Sequence, residues 1–418
     1  MNTESRNEHQ TFGVDHDSIR DWFPALRSEQ VFLDNAGGSQ VPRTVIGGVQ
    51  DYMINNFVQV DADYAASFRA TQTVADAREL VALLMNASGS GQVALGPSTS
   101  ALCYLLADCY ARDPSPNRDE IIICEAGHEA NIGPWARLAD RGYSVKMWRI
   151  DPETFKCEKS ALRDLLSERT RILAVPHVSN LLGDIEDIRA LSRLVHEFGA
   201  RIVVDGVAYA PHRAMDVAEW EVDWYVYSLY KVYGPHMAAL FGTDDAFAEL
   251  EGPNHFFIDR DDVPYKFELG GVLHEGCAGI VGLSDYLKFL AGRRSDEEID
   301  RGVVEWAFDV MAACEAPMQR RLIEYLLGVD QVRLIGPSET GSSRVSTVSF
   351  VHKSKTSKEI VLAANARGFG IRYGHFYAHR LASAVGLDPD DGVVRTSLVH
   401  YNSPEEIERL IEYFERIL

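Results

Sequence analysis

Between residues 92 and 228, short apolar runs alternate with helical stretches, and this alternation restricts the fold more than any other feature of the chain. Strand candidates stand at 92–95, 120–124, 144–148, 171–175, 201–204 and 224–228, with helical patterns at 99–111, 131–141, 159–167 and 186–198 separating most of them. Parallel neighbours need a crossover of a dozen or more residues, and a helix lying on the sheet supplies it. The expectation is therefore an α/β fold, a mostly parallel sheet with helices on both faces, to which Ala238–Phe241 adds a seventh strand.

Upstream, a short helix is expected near Ser18–Phe23, an extended piece with a glycine turn over Val31–Gly38, and helices over 42–57 and 70–87. Downstream, long helical material at 282–328 leads to a smaller α+β part: strand Arg344–Val351, helix Ser357–Arg367, strand Val393–Leu398 and helix Pro404–Ile417. A chain of 418 residues is too long for one ordinary domain. The expected division is an N-terminal arm (1–30), a large domain (31–280), and a linking helix with a small C-terminal domain (281–418).

In open α/β sheets ligands bind beyond the carboxyl ends of the strands, and chemistry-bearing residues stand at several of those ends here. Asp205 ends Arg201-Ile-Val-Val-Asp205, and Lys231 closes Trp224-Tyr-Val-Tyr-Ser228-Leu-Tyr230-Lys231. That layout suits pyridoxal phosphate: a lysine can form a Schiff base with the aldehyde, and a carboxylate can hold a proton on the pyridine nitrogen. Gly96-Pro-Ser98-Thr99-Ser100 opens a helix after a strand, where free N–H groups and hydroxyls can hold a phosphate. His128 offers a flat ring for stacking, and Asn180, in His177-Val-Ser-Asn180, offers an amide to a phenolate oxygen. Arg395, in Val393-Val-Arg-Thr-Ser-Leu398, can clamp a carboxylate, with Arg372 as a rival. Each of these also has a structural reading when taken singly: a Ser/Thr helix cap, a satisfied histidine, a turn asparagine, a salt-bridged arginine.

The remaining composition narrows the partners. With 41 basic and 62 acidic residues the net charge is −21, which repels nucleic acid and anionic membranes; no such partner is expected. The N-terminus lacks the basic-then-apolar order of a signal peptide, and no apolar run reaches the length of a membrane span, so a cytoplasmic protein is expected. Six cysteines show no CxxC or His/Cys metal spacing; reduced core thiols and no metal site are expected.

Taken together, the motifs Leu33-Asp-Asn35-Ala, Gly96-Pro-Ser-Thr-Ser, His128-x-x-Asn131-x-x-Pro-Trp, His177-Val-Ser-Asn180, Val204-Asp205-Gly, Ser228-x-x-Lys231-x-x-Gly-Pro and Arg395-x-Ser resemble the class V aminotransferases. The resemblance is to the cysteine desulfurase-like branch and runs from about Phe32 to the C-terminus. It implies the fold type I architecture of pyridoxal-phosphate enzymes, with Lys231 as Schiff-base lysine and proton shuttle, Asp205 on the pyridine nitrogen, His128 stacked on the ring and Asn180 at the ring oxygen. Ser98, Thr99, Ser100, Ser228 and Tyr230 would surround the phosphate. Arg395, Asn35, Arg372 and Tyr377 would face an amino-acid substrate. Such enzymes are homodimers, and Gly271 of one subunit would approach the other's phosphate site.

Three departures bear on the reaction. Tyr377 stands where desulfurases of the family carry a nucleophilic cysteine, and a phenol cannot accept sulfur as a persulfide. Ala208 replaces a common glutamine, and Tyr230 replaces the histidine that usually precedes the lysine. Cys277 is a weak substitute nucleophile, since small core thiols are inert. The expected reaction is β-elimination from a cysteine S-conjugate, giving thiol, pyruvate and ammonia, of the kind found in natural-product pathways. Alternatives are decarboxylation with oxidative deamination, or desulfurase-like, epimerase or aminotransferase activity.

Overall fold

The computed structural model describes residues 15–112, 115 and 117–418, so residues 1–14 of the expected arm lie outside the described part. A two-residue strand β1 (Val31–Phe32) precedes the strands of the main sheet: β2 (Gln92–Gly96), β3 (Glu120–Cys124), β4 (Ser144–Trp148), β5 (Thr170–Pro176), β6 (Arg201–Asp205), β7 (Trp224–Ser228) and β8 (Ala238–Gly242). Among the described residues these form a seven-stranded sheet in the order β2-β8-β7-β6-β5-β3-β4. Pairing is parallel from β4 through β7, and β8 runs antiparallel to both its neighbours.

The period of two along each strand explains why both faces are covered. Ile122, Leu173, Val175, Ile202, Val204 and Tyr225 enter one apolar cluster, while Ile121, Ile123, Ile172, Ala174, Val203 and Trp224 enter the other. Central strands buried on both faces read as near-continuous apolar runs, and β3, β5, β7 and β8 are buried along their whole length. Edge strand β4 instead begins exposed and carries Lys146.

The second sheet is antiparallel, built from β9 (Val332–Ile335), β10 (Thr347–His352), β12 (Arg372–Gly374) and β13 (Val393–Ser397) in the order β12-β13-β10-β9; the short β11 (Phe369–Gly370) pairs in parallel with β1. Val31 and Leu33 are buried here, with Met318, Leu322, Val348, Phe350, Ile407 and Phe414. The start of the chain's extended piece thus packs with the C-terminal sheet, which carries Asp34 toward Arg395.

Several boundaries differ from the sequence expectation. The helix expected over 70–87 spans Ala65–Met85 and stops where Asn86 takes a left-handed φ of 53°. The helical material of 282–328 is two helices, His274–Leu290 and Arg301–Leu327, separated by a turn with Gly292 at φ 67° and restarted by the Asp300 side chain, which accepts from the Val303 N–H. Strands β9 and β12 carry no clear apolar alternation, and nothing in the sequence had marked them. No helix among the described residues is long and apolar enough to cross a membrane.

Candidate active site

The carboxyl ends of β2, β3, β5, β6 and β7 converge on one cavity. Ser98, Thr99, Ser100, His128, Asn180, Asp205, Ala208, Ser228, Tyr230 and Lys231 line it. At one end the helix Thr99–Arg112 starts immediately after β2, so its first N–H groups face the cavity's rim. The buried hydroxyls of Thr99 and Ser228 lie 2.8 Å apart, joining the helix start to the end of β7. Ser98 accepts from the Ala101 N–H at 3.2 Å, so it also serves as the helix cap, and Ser100 is exposed.

Asp205 ends β6 almost fully buried. One carboxylate oxygen accepts from the Val207 N–H at 3.0 Å, and no described residue donates to the other. Burial raises its pKa, against the lowering effects of that hydrogen bond and of Lys231. A protonated ring nitrogen would supply both a donor and a charge to the open oxygen. Lys231 sits on a single 3-10 turn, Leu229–Lys231, directly after β7. Burial, aided by the charge of Arg395, pushes its ammonium down to about 8, while Asp205 and Asp34 oppose the shift. Roughly a tenth of the amine is therefore neutral at pH 7, far more than at the ordinary lysine value.

His128 caps the helix Glu129–Ala136: its Nδ1 accepts from the Ala130 N–H at 2.9 Å, which leaves the proton of the neutral ring on Nε2. Burial, then the charges of Lys231 and Arg395, push its pKa down to about 3, so the ring is neutral over the working range. A neutral flat ring is suited to covering a flat cofactor.

A second, wider cavity opens beside the first, sharing Ser100, His128, Asn180, Tyr230 and Lys231 and adding Arg372, Phe376, Tyr377 and Arg395. Arg395 is 2% exposed. It donates to Asp34 at 2.8 Å and to the Asn180 carbonyl at 3.4 Å, and it lies 3.6 Å from the centroid of the Phe376 ring. Its Nε is buried with no partner among the described residues, as is the Asn180 Oδ1. The Asn180 amide N–H expected at the ring oxygen donates instead to the Phe376 carbonyl at 2.8 Å, leaving one further amide hydrogen for a ligand. Tyr377 is 67% exposed at the mouth, its ring 5.3 Å from His128. Phe376 and Tyr377 both hold left-handed backbone, φ 48° and 61°, which costs non-glycine residues energy. Three contacts hold that turn: Asn180 on the Phe376 carbonyl, the Glu129 N–H on the Tyr377 carbonyl at 2.9 Å, and the Arg380–Glu129 ion pair at 2.7 Å.

Asn35 corrects the sequence expectation. Its amide is consumed within the fold, donating to the carbonyls of Phe32 and Ser397 and to Asn402, and accepting from Tyr401, so it offers nothing to a substrate. Gly271 is exposed, in left-handed backbone at φ 84°, and does not reach the cavity within one chain. Tyr230 lines both cavities, its ring stacked on His236 at 4.7 Å. Cys277 lies outside both cavities, fully buried, its thiol pushed up to about 12 by burial. Sequence reasoning missed Asp34 and Phe376. Asp34 stood inside a quoted motif, but nothing marked it as the partner of an arginine 361 residues away.

The residues present fit pyridoxal phosphate: a helix start flanked by two facing hydroxyls, a buried carboxylate with an open oxygen, a neutral imidazole, and a lysine with lowered pKa in one cavity. Comparison with known proteins agrees. The class V aminotransferase family profile matches residues 31–410. An aminotransferase-like protein of Gibberella zeae is 38% identical over 96% of this chain and 98% of its own length. A cysteine desulfurase-like protein of Aspergillus flavus is 31% identical over 97% of this chain and 91% of its own. The apo cysteine desulfurase of Thermococcus onnurineus superposes with a TM-score of 0.84 over 96% of this chain and 97% of that one, at 23% identity.

Proposed function

Given that the chain belongs to the class V aminotransferase family of pyridoxal-phosphate enzymes, we propose that it is a C–S lyase acting by β-elimination on cysteine S-conjugates. The observation that carries this reading is the absence of a usable thiol beside a complete acid/base site. By the family resemblance Tyr377 stands where desulfurases carry their nucleophile, and Cys277 is buried with its thiol pushed up to about 12. β-Elimination needs no protein thiol, because sulfur leaves with the substrate's own substituent.

Bound pyridoxal phosphate supplies an electron sink that makes the bonds at the substrate's α-carbon labile. The chain's residues do the rest. Lys231 Nζ, with its pKa near 8, takes the α-proton and returns protons as groups leave. The open oxygen of Asp205 would hold a proton on the cofactor's pyridine nitrogen, His128 would cover its ring, the Thr99 and Ser228 hydroxyls would hold its phosphate, and Arg395 would bind the substrate's α-carboxylate. Ala208 leaves room beside the ring, and the wide mouth at Tyr377 accommodates a bulky sulfur substituent.

We also read the enzyme as a homodimer. Ile46, Met53 and Ile54, on the helix Arg43–Asn55, are exposed with Phe57, and the first three line an apolar cleft that reaches Tyr230 at the site.

The test is product identity. Incubated with a cysteine S-conjugate, the enzyme is expected to release thiol, pyruvate and ammonia in equal amounts without oxygen uptake. Aldehyde and carbon dioxide with oxygen uptake would sink this reading in favour of oxidative decarboxylation.

A further inference from the structure

The Arg395 guanidinium is engaged on one face and at both terminal nitrogens, although it borders the wider cavity. Phe376 lies on its face at 3.6 Å, Asp34 accepts from one terminal nitrogen at 2.8 Å, the Asn180 carbonyl accepts from the other at 3.4 Å, and Nε is buried with no partner among the described residues. A substrate carboxylate therefore meets an arginine already holding a carboxylate. Asp34 is placed for exchange. Its other oxygen lies 3.5 Å from Arg372, whose side chain is 61% exposed. On that side the chain opens into a groove lined by Gln30, Phe32, Asp34, Gly37, Gly370 and Arg372. The backbone makes space for this carboxylate, since a Cβ on Gly37 would stand 2.8 Å from Asp34 Oδ2.

We propose that Asp34 is a placeholder for the substrate carboxylate: it neutralises Arg395 in the empty site and passes to Arg372 when the substrate's α-carboxylate takes its place. The buried guanidinium is then never left without an anion, which would be costly. Arg372 acts as a positioning residue, the landing place of the displaced Asp34. The proposal rests on the reading of Arg395 as the carboxylate binder.

The experiment measures binding of propionate, a carboxylate with no amino group to react, to the holoenzyme by calorimetry, with melting temperature as a second readout. Asp34→Asn removes the competitor and is expected to tighten propionate binding roughly tenfold, the effect of losing one competing ion pair of moderate strength. The variant should melt lower than the parent without propionate and gain more from its addition. Arg372→Met removes the landing place and is expected to weaken propionate several-fold while leaving Asp34 on Arg395. Opposite shifts from the two variants support the exchange, because a folding defect would weaken binding in both. If Asp34→Asn weakens propionate while Arg395→Ala abolishes its binding, Asp34 only orients the arginine and the placeholder idea fails. If Arg395→Ala leaves propionate binding intact, Arg395 is not the carboxylate site and both readings fall.

Discussion

At the scale of single residues the account turns on Lys231 and the charges around it. Its pKa lies near 8 against an ordinary 10.5, so more of the amine is neutral, and nucleophilic, at any pH between the two. Uptake of pyridoxal phosphate by apoenzyme is thus expected to rise with pH and level off above about 8, and a climb continuing toward 10.5 would show a solvated, unperturbed lysine. Arg395 contributes to the lowering, so Arg395→Ala should move the midpoint upward. Lys231→Ala should abolish borohydride trapping of the cofactor; trapping at another lysine, located by peptide mapping, would overturn the assignment. Gly206 follows Asp205 directly, and a Cβ there would lie 2.1 Å from the Tyr225 ring. Gly206→Ala should therefore cost about 3 kcal/mol or more, read as a lower midpoint in urea.

At the scale of elements, the strand ends deliver the chemistry and the turn at 375–380 shapes the mouth. Arg380→Ala removes a half-exposed ion pair, worth about 0–1 kcal/mol. It should raise KM at most about fivefold, with kcat and melting temperature nearly unchanged; a large loss of kcat would show that the turn's position governs the chemical step. Strands β3, β5 and β7 were legible because strands buried on both faces must be apolar throughout, and each was bounded by turn residues or a helix cap. The cavity was legible for the same reason: Asp205, Ser228 and His128 interrupt or follow such runs at fixed strand ends. Asp34, Phe376 and strand β12 were not. Their significance comes from packing between the N-terminal segment and the C-terminal sheet, and no local pattern records a contact across more than 300 residues. Asn35 failed for the converse reason: a polar residue in a site motif was occupied by the Phe32 and Ser397 carbonyls and the Asn402 and Tyr401 side chains, partners only folding could supply.

At the scale of the whole molecule, buried histidines set part of the pH response. His177, pushed by burial to about 3, and His400, held well below its ordinary value, are neutral when folded, whereas the unfolded chain takes up protons near 6.5. Folding is then opposed as pH falls below 6.5, by up to about 1.4 kcal/mol per pH unit for each histidine. His177→Phe should flatten the fall of melting temperature between pH 6.5 and 4; an unchanged slope would assign it to other groups. The exposed apolar face of the helix Arg43–Asn55 carries the expectation of a dimer: light scattering should give twice the 46.6 kDa chain mass, and Ile54→Glu should halve it and weaken cofactor retention. A parent protein of single-chain mass would contradict the dimer. The reaction itself is decided most directly by the fate of one carbon. With a cysteine S-conjugate labelled with ¹³C at the carboxyl group, β-elimination keeps the label in pyruvate, and this is the expected result. Recovery of the label as carbon dioxide would contradict the C–S lyase account.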